Sequence, residues 1–304
     1  MNLIEDLEEP VKASMKIKNY IKLIRVTQWS KNVFLFVPLV FAKKLFEIPT
    51  FEIAFLAFLQ FCLVSSTVYI FNDIIDVKQD REHPTKRFRP IASGSVKINS
   101  AIALLTIFFA SLIPGLFVFN YKFNLLFIAY LILNTAYTLK LKNVVILDIL
   151  SLASGFVIRV LAGAYVINVP VSNWLILSTL FVSIFLALIK RRSELAFNLE
   201  VEKTRKVLKN YTITYLDQLT TISATGLIVS YALYAVSQST IQNFHTENLI
   251  FTIIFVVYGI FRYMYLMHVK KFGENPIDTI FKDFGMILNI FLYIGSIILI
   301  IYFK

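Results

Sequence analysis

Apolar runs of about 20 residues alternate along this chain with short polar stretches, and that is the length a helix needs to cross a bilayer. Nine such runs are expected, at roughly 33–46, 52–72, 100–119, 123–139, 145–167, 173–190, 218–239, 248–267 and 285–303. The first is short and is interrupted by Pro38. The pattern predicts an all-α integral membrane protein with one membrane domain over 33–304. A polar N-terminal segment, 1–32, precedes it. Within that segment Tyr20 to Arg25 reads as an amphipathic surface helix carrying Lys22 and Arg25.

Composition supports this reading. The 304 residues are 58% hydrophobic and only 16% charged, where a soluble domain is about one quarter charged. Mean hydropathy is +0.72. The single cysteine, Cys62, lies inside an apolar run and has no intrachain partner, so it says nothing about redox compartment. No cleavable leader is expected, because the first 32 residues are charged and lack a short apolar core.

Charge orients the chain. Of the 30 Lys and Arg residues, only Lys43, Lys44, Lys122 and Lys304 fall on one side. Arg159 and Arg262 fall within spans, and all the others lie in the N-terminal segment and the even-numbered loops. By the positive-inside rule those face the cytoplasm. The formal net charge of +11 therefore follows membrane topology, and a nucleic-acid partner is not expected. The expected location is the cell's inner (plasma) membrane, as a multi-pass protein.

Almost all the acidic residues that suit chemistry share the cytoplasmic side. Asp73, Asp76 and Asp80 follow one another at i, i+3 and i+7, along one helical face where the second span leaves the bilayer. Carboxylates at a helix C-terminus oppose its dipole, and a bound cation removes that penalty. Mg²⁺ suits such a site because it takes a few carboxylates, water and substrate phosphate oxygens. Asn72 is placed to support a metal-bound water or a phosphate oxygen. Pro84 then stops the helix. Lys86 and Arg89 follow as cations suited to a diphosphate leaving group. A lone His83 beside carboxylates reads as a supporting or surface group.

The run Asn72-Asp73-x-x-Asp76-x-x-x-Asp80, followed by Arg89-Pro-Ile-Ala-Ser-Gly94, resembles the UbiA superfamily of membrane prenyltransferases. The resemblance extends over essentially the whole chain and implies nine helices around a central cavity. Further segments resemble the branch of decaprenyl-phosphate phosphoribosyltransferases: Gln28-Trp29-Ser-Lys31-Asn32, Tyr137 through Lys142 to Asp148, Ala153 to Arg159, Lys190-Arg191-Arg-Ser-Glu194, and Gly273 to Asp278 with Asp283. That branch transfers 5-phosphoribose from phosphoribosyl diphosphate to a polyprenyl phosphate, with Mg²⁺, in cell-wall biosynthesis. Family analogy also implies a trimer.

One departure separates the branches. Aromatic prenyltransferases of the superfamily carry a second Asp-x-x-x-Asp after the sixth span. Here Lys190, Arg191, Arg192 and Glu194 stand there, and a basic pair suits a phosphate monoester. The alternative activity, prenyl transfer from a prenyl diphosphate to an aromatic acceptor, is disfavoured on that ground. A transporter is disfavoured because the acids gather at one face rather than at midplane.

The expected roles follow. Asn72, Asp73, Asp76 and Asp80 hold the metal, and Asp73, Asp76 and Lys31 carry catalysis. Gln28, Lys31, Asn32, Lys86, Arg89, Tyr137, Lys142, Asp148, Arg159, Lys190, Arg191, Glu194 and Arg262 bind substrate. Arg159 stands out on physical grounds alone, because a cation near the middle of a span is costly and marks an interior site. For Arg262 the plain alternative is snorkelling to the interface. For Lys190 to Arg192 it is a positive-inside anchor.

Overall fold

The computed structural model describes residues 17–197, 206–270 and 282–303, and among them every regular element is helical. Eight helices are long and apolar enough to cross a membrane. They are α1 (Ile48–Ile75), α2 (Ile98–Val118), α3 (Tyr121–Leu139), α4 (Leu147–Val166), α5 (Asn173–Phe197), α6 (Ile213–Val236), α7 (Asn248–His268) and α8 (Phe284–Tyr302). The chain is a multi-pass membrane protein.

The expected first span differs from this pattern. After a short helix at 17–24, Val26–Phe36 winds as a 3-10 helix, and Val37–Phe41 adds one α-turn started by Pro38. The change has a local cause. Arg25 adopts the left-handed conformation (φ 57°), which breaks the preceding helix. Pro38 suits a first turn and not a helix interior. This segment packs against α1 and α4 and buries Asn32, Leu35, Pro38 and Leu39 there, while Val26 and Val33 stay exposed. Its far end reaches α6 and α8, where Phe41 packs edge-on against Tyr234 and the Tyr302 hydroxyl donates to the Val40 carbonyl.

Glycine sets the closest approach. A Cβ on Gly163 of α4 would stand 1.9 Å from the Leu35 carbonyl oxygen, so only glycine lets α4 and the 3-10 segment meet there. Around this contact Leu35, Leu39, Phe61, Phe123, Phe127 and Ala162 form a closed apolar core.

The other helices are ordered by neighbour contacts. α4 packs on α3 and α5, α5 on α6, α6 on α7, and α7 on α8, while α2 lies against α1. Three of the starts are capped by side chains. Asn120 accepts from the Phe123 N–H, Thr212 from Tyr215 and Asp283 from Met286, which satisfies an orphan donor at each helix start.

The length of α1 sets up the site. Its 28 residues span about 42 Å at 1.5 Å per residue, against a hydrocarbon core of about 30 Å. The helix is thus longer than one crossing needs, and Asn72 and Asp73 stand in its last turn. Asp76 (φ −87°, ψ 4°) separates α1 from a short helix, Val77–Glu82. His83 is extended ahead of Pro84 and ends that helix.

Candidate active site

The two helical pieces that meet at Asp76 aim their carboxylates at a shared cation, while Asp76 itself takes another. Asp73 is buried, and its Oδ1 accepts from Arg25 Nη2 at 2.5 Å and from Arg89 Nη1 at 3.2 Å. The same Arg89 nitrogen donates to Asp80 Oδ2 at 2.6 Å. Asp73 and Asp80 thus converge on one cationic point, although seven residues separate them. Asp76 takes Lys142 instead, with Nζ 2.5 and 2.7 Å from its two oxygens.

Does this donor set fit Mg²⁺? Among the described residues no three His, Cys, Asp or Glu side chains are already gathered around one point. The chemistry nonetheless fits. Asp73 and Asp80 offer hard oxygens to a shared position, and Mg²⁺ needs only one or two carboxylates when substrate phosphates complete its shell. His83 does not compete. Its Nδ1 faces the backbone N–H groups of Thr85 and Lys86 at 3.2 and 3.3 Å, so it braces the turn that presents Lys86 and Arg89.

A second group lies deeper. Arg159 stands 12 residues into α4, about 18 Å along its axis. It is buried and has only neutral partners: Nε donates to Asn32 Oδ1 at 2.7 Å, Nη1 to the Gly155 carbonyl at 2.8 Å and Nη2 to the Tyr130 hydroxyl at 2.7 Å. Asn32 is itself fixed by Ser65 and Cys62. Gln28 and Lys31 lie on the same 3-10 segment as Asn32. Among the described residues Lys31 makes no hydrogen bond or ion pair, and the charged groups acting on it are the cations Arg159 and Arg25. Burial, reinforced by Arg159, pulls the Lys31 ammonium down to about 8.

A third group closes the same end of the bundle. Arg191 and Asp148 are fully buried against each other, with Nε 2.8 Å from Oδ2. Tyr211 donates its hydroxyl to the other Asp148 oxygen at 2.8 Å, and the same hydroxyl accepts from the Ile146 N–H. Burial pushes the Tyr211 phenol upward, so it stays protonated to make that bond. Arg191 also binds Glu194 at 2.6 Å and reaches the Tyr137 hydroxyl at 3.5 Å. Neighbouring Arg192 pairs with Asp217, which also meets His268. Lys190 is exposed at the same helix end. Arg262 makes a two-pronged pair with Asp283, which holds that carboxyl below its usual range. The segment Gly273 to Asp278 lies outside the described residues.

Three residues enter this picture that the spacing of acids and bases did not single out. Arg25 depends on a left-handed turn that leaves no pattern in the sequence. Tyr69 lies one turn before Asp73 on α1, beneath the Arg25 guanidinium, whose carbon is 4.8 Å from the ring centroid. The i−4 spacing from Asp73 was its available signal. Tyr130 both accepts from Arg159 and stacks beneath it at 4.7 Å, yet in sequence it is one aromatic among many.

Comparison with known proteins places these geometries in context. The model of the UbiA prenyltransferase family matches residues 33–275. The chain is 34% identical over 299 residues to a decaprenyl-phosphate phosphoribosyltransferase of Mycolicibacterium smegmatis, covering 95% of this chain and 94% of that one. It is 37% identical over 219 residues to the protein of the same name from Corynebacterium glutamicum, covering 70% and 66%. In fold it is similar to a UbiA homolog from Archaeoglobus fulgidus bound to DMAPP and Mg²⁺. The TM-score there is 0.71 and the identity 16%, over 93% of this chain and 99% of that one.

Proposed function

The chain belongs to the UbiA prenyltransferase family, and on that footing we propose that it transfers 5-phosphoribose from phosphoribosyl diphosphate to a polyprenyl phosphate and releases diphosphate. It is a pentosyltransferase. One juxtaposition carries the reading: the Asp73–Asp80 carboxylates stand where α1 ends, the Lys31–Arg159 cations lie deeper in the bundle, and the cations have no carboxylate of their own among the described residues. A metal-diphosphate site beside a second anion site suits substrates with several phosphates. A prenyl diphosphate has an apolar remainder, which would meet cations instead of an apolar wall. At the end of α5 ion-paired arginines stand where a second acid pair would be expected for a prenyl diphosphate.

Asp73 and Asp80 would hold Mg²⁺, which supplies charge neutralisation to the departing diphosphate; Asn72 is adjacent to Asp73, and Asp76, expected from its spacing to join them, is turned to Lys142. The chain's own residues do the rest. Arg25, Arg89 and Lys142 surround the carboxylates and add positive charge where the leaving group accumulates negative charge. Lys86 lies on the turn braced by His83. As the bond from C1 to the diphosphate oxygen breaks, a lipid phosphate oxygen bonds to C1 from the opposite face, and the anomeric centre inverts. That nucleophile is already anionic, so no general base is required. Asp148 and Tyr211 act by fixing Arg191, which in turn reaches Tyr137. This end of the bundle and the N-terminus face the cytoplasm, where the soluble donor is.

Lys31 gives this chemistry a pH signature. Its ammonium is depressed to about 8, so the free enzyme loses that charge as pH rises through 8. The KM for phosphoribosyl diphosphate is expected to climb from pH 7 to pH 9, approaching tenfold per pH unit above the transition. Lys31→Arg, always charged, is expected to flatten that limb. An unchanged profile in the variant would exclude Lys31 as the titrating group.

The reading is tested with protein in lipid nanodiscs, phosphoribosyl diphosphate labelled in the ribose, a polyprenyl phosphate and Mg²⁺. Label entering the lipid fraction only when the polyprenyl phosphate is present supports it. Lipid-phase product formed from a prenyl diphosphate and an aromatic acid, with none from the labelled donor, contradicts it.

A further inference from the structure

The activity above involves two phosphate monoesters, one on the sugar and one on the lipid, and the Lys31–Arg159 pair can serve only one of them. We propose that Lys31 and Arg159 bind the 5-phosphate of the donor, with the ribose beneath Tyr69, and that they do not hold the lipid phosphate. This assignment rests on the proposed transfer reaction.

Charge is the first argument. Two neighbouring cations lie inside an apolar bundle with no counter-ion among the described residues. Leaving them uncompensated is costly, so the site calls for an anion. Three of the five guanidinium N–H groups of Arg159 go to neutral acceptors, and the three N–H groups of Lys31 meet no acceptor among the described residues. A dianionic phosphate monoester matches a pair of single positive charges.

Enclosure is the second argument. The side chains around the pair are closed off from the outer surface: Asn32 and Phe61 are 0% exposed, Leu35 is 1% and Tyr130 is 3%. Gly163 of α4 presses on the Leu35 carbonyl directly alongside. A phosphate that carries a polyprenyl chain needs a route for that chain into the bilayer, and none of these four side chains opens onto the surface. The 5-phosphate of ribose carries no chain.

Continuity is the third. Arg25 binds Asp73 at the diphosphate site, and its charge also acts on Lys31. Tyr69 lies beneath Arg25, and the charges of both Asp73 and Arg159 act on it. One molecule with a diphosphate at C1 and a phosphate at C5 joins these two sites across the Tyr69 ring. Tyr69 is then a positioning residue for the sugar.

The test uses two fragments of the donor as separate probes on nanodisc-embedded protein: ribose 5-phosphate alone, and inorganic diphosphate with Mg²⁺. Lys31→Met is expected to weaken ribose 5-phosphate binding at least tenfold. It should leave Mg²⁺-diphosphate binding and the KM for polyprenyl phosphate unchanged, and Lys31→Arg should restore the sugar phosphate. A measurement independent of the variants is competition in the wild-type enzyme. Ribose 5-phosphate should compete with phosphoribosyl diphosphate and not with polyprenyl phosphate. Competition against polyprenyl phosphate, or a Lys31→Met variant that keeps ribose 5-phosphate and loses the lipid acceptor, overturns the assignment while leaving the transfer reaction intact. A wild-type protein that neither binds ribose 5-phosphate nor uses phosphoribosyl diphosphate, yet consumes a prenyl diphosphate, overturns the reaction itself.

Discussion

Asp73→Asn is expected to lower the transfer rate by about 10²–10³-fold, the usual loss when one preorganised electrostatic contact to the reacting centre is removed. The substitution keeps the shape of the side chain and removes its charge. Two effects then combine. The metal loses an oxygen ligand at the position that Asp73 and Asp80 share. Arg25 and Arg89, both partly buried, lose the anion that aims them. The Mg²⁺ concentration for half-maximal rate should rise as well, since fewer charges would hold the ion. Rate against Mg²⁺ concentration, measured for Asp73→Asn and Asp80→Asn, checks this. Loss of less than tenfold in both variants would remove these carboxylates from the reaction.

Asp148→Ala is expected to destabilise the protein by about 3–5 kcal/mol, because breaking a buried ion pair leaves the remaining charge uncompensated. Both partners are essentially inaccessible, at 0% and 1% side-chain exposure, so solvent screens little of the loss. Tyr211 loses its acceptor at the same time. Removing both charges with well-packed apolar residues, as in Asp148→Leu combined with Arg191→Met, should recover much of that stability. Activity should stay low, since Tyr137 loses its cationic neighbour. Thermal unfolding in detergent gives the stability change, and the transfer assay separates it from function. A double variant that is both stable and fully active would confine Arg191 to a scaffold role.

Much of this architecture is written in local pattern. Runs of apolar residues locate eight helices, because burial in lipid imposes one simple composition rule; most ends fall within four residues of the expected spans, but α5 runs seven residues further and α6 starts five residues earlier. The Val26–Phe41 segment escapes that rule, since its shape is set by Arg25, Pro38 and the approach of Gly163. The acids at and just beyond the end of α1 are legible because three carboxylates at helical spacing are costly without cations. Which cation meets which acid is not legible. The break at Asp76 sends that side chain to Lys142 on a distant loop while Asp73 and Asp80 share Arg89, and such pairings arise only when the helices assemble. Arg159 is visible in the sequence as a misplaced charge, but its partners Asn32 and Tyr130 come from two other elements. The chemistry of isolated residues is therefore readable, and the contacts that join them depend on the fold.

The central claim is that the diphosphate belongs to an activated phosphoribose and that the lipid is the acceptor. It is tested most directly by offering nanodisc-embedded protein phosphoribosyl diphosphate and a prenyl diphosphate together, with a polyprenyl phosphate, an aromatic acid and Mg²⁺, and identifying the lipid product by intact mass. The expected product is polyprenyl phosphate extended by one phosphoribosyl unit, with one diphosphate released for each. A prenylated aromatic acid, with phosphoribosyl diphosphate left unconsumed, would contradict the account.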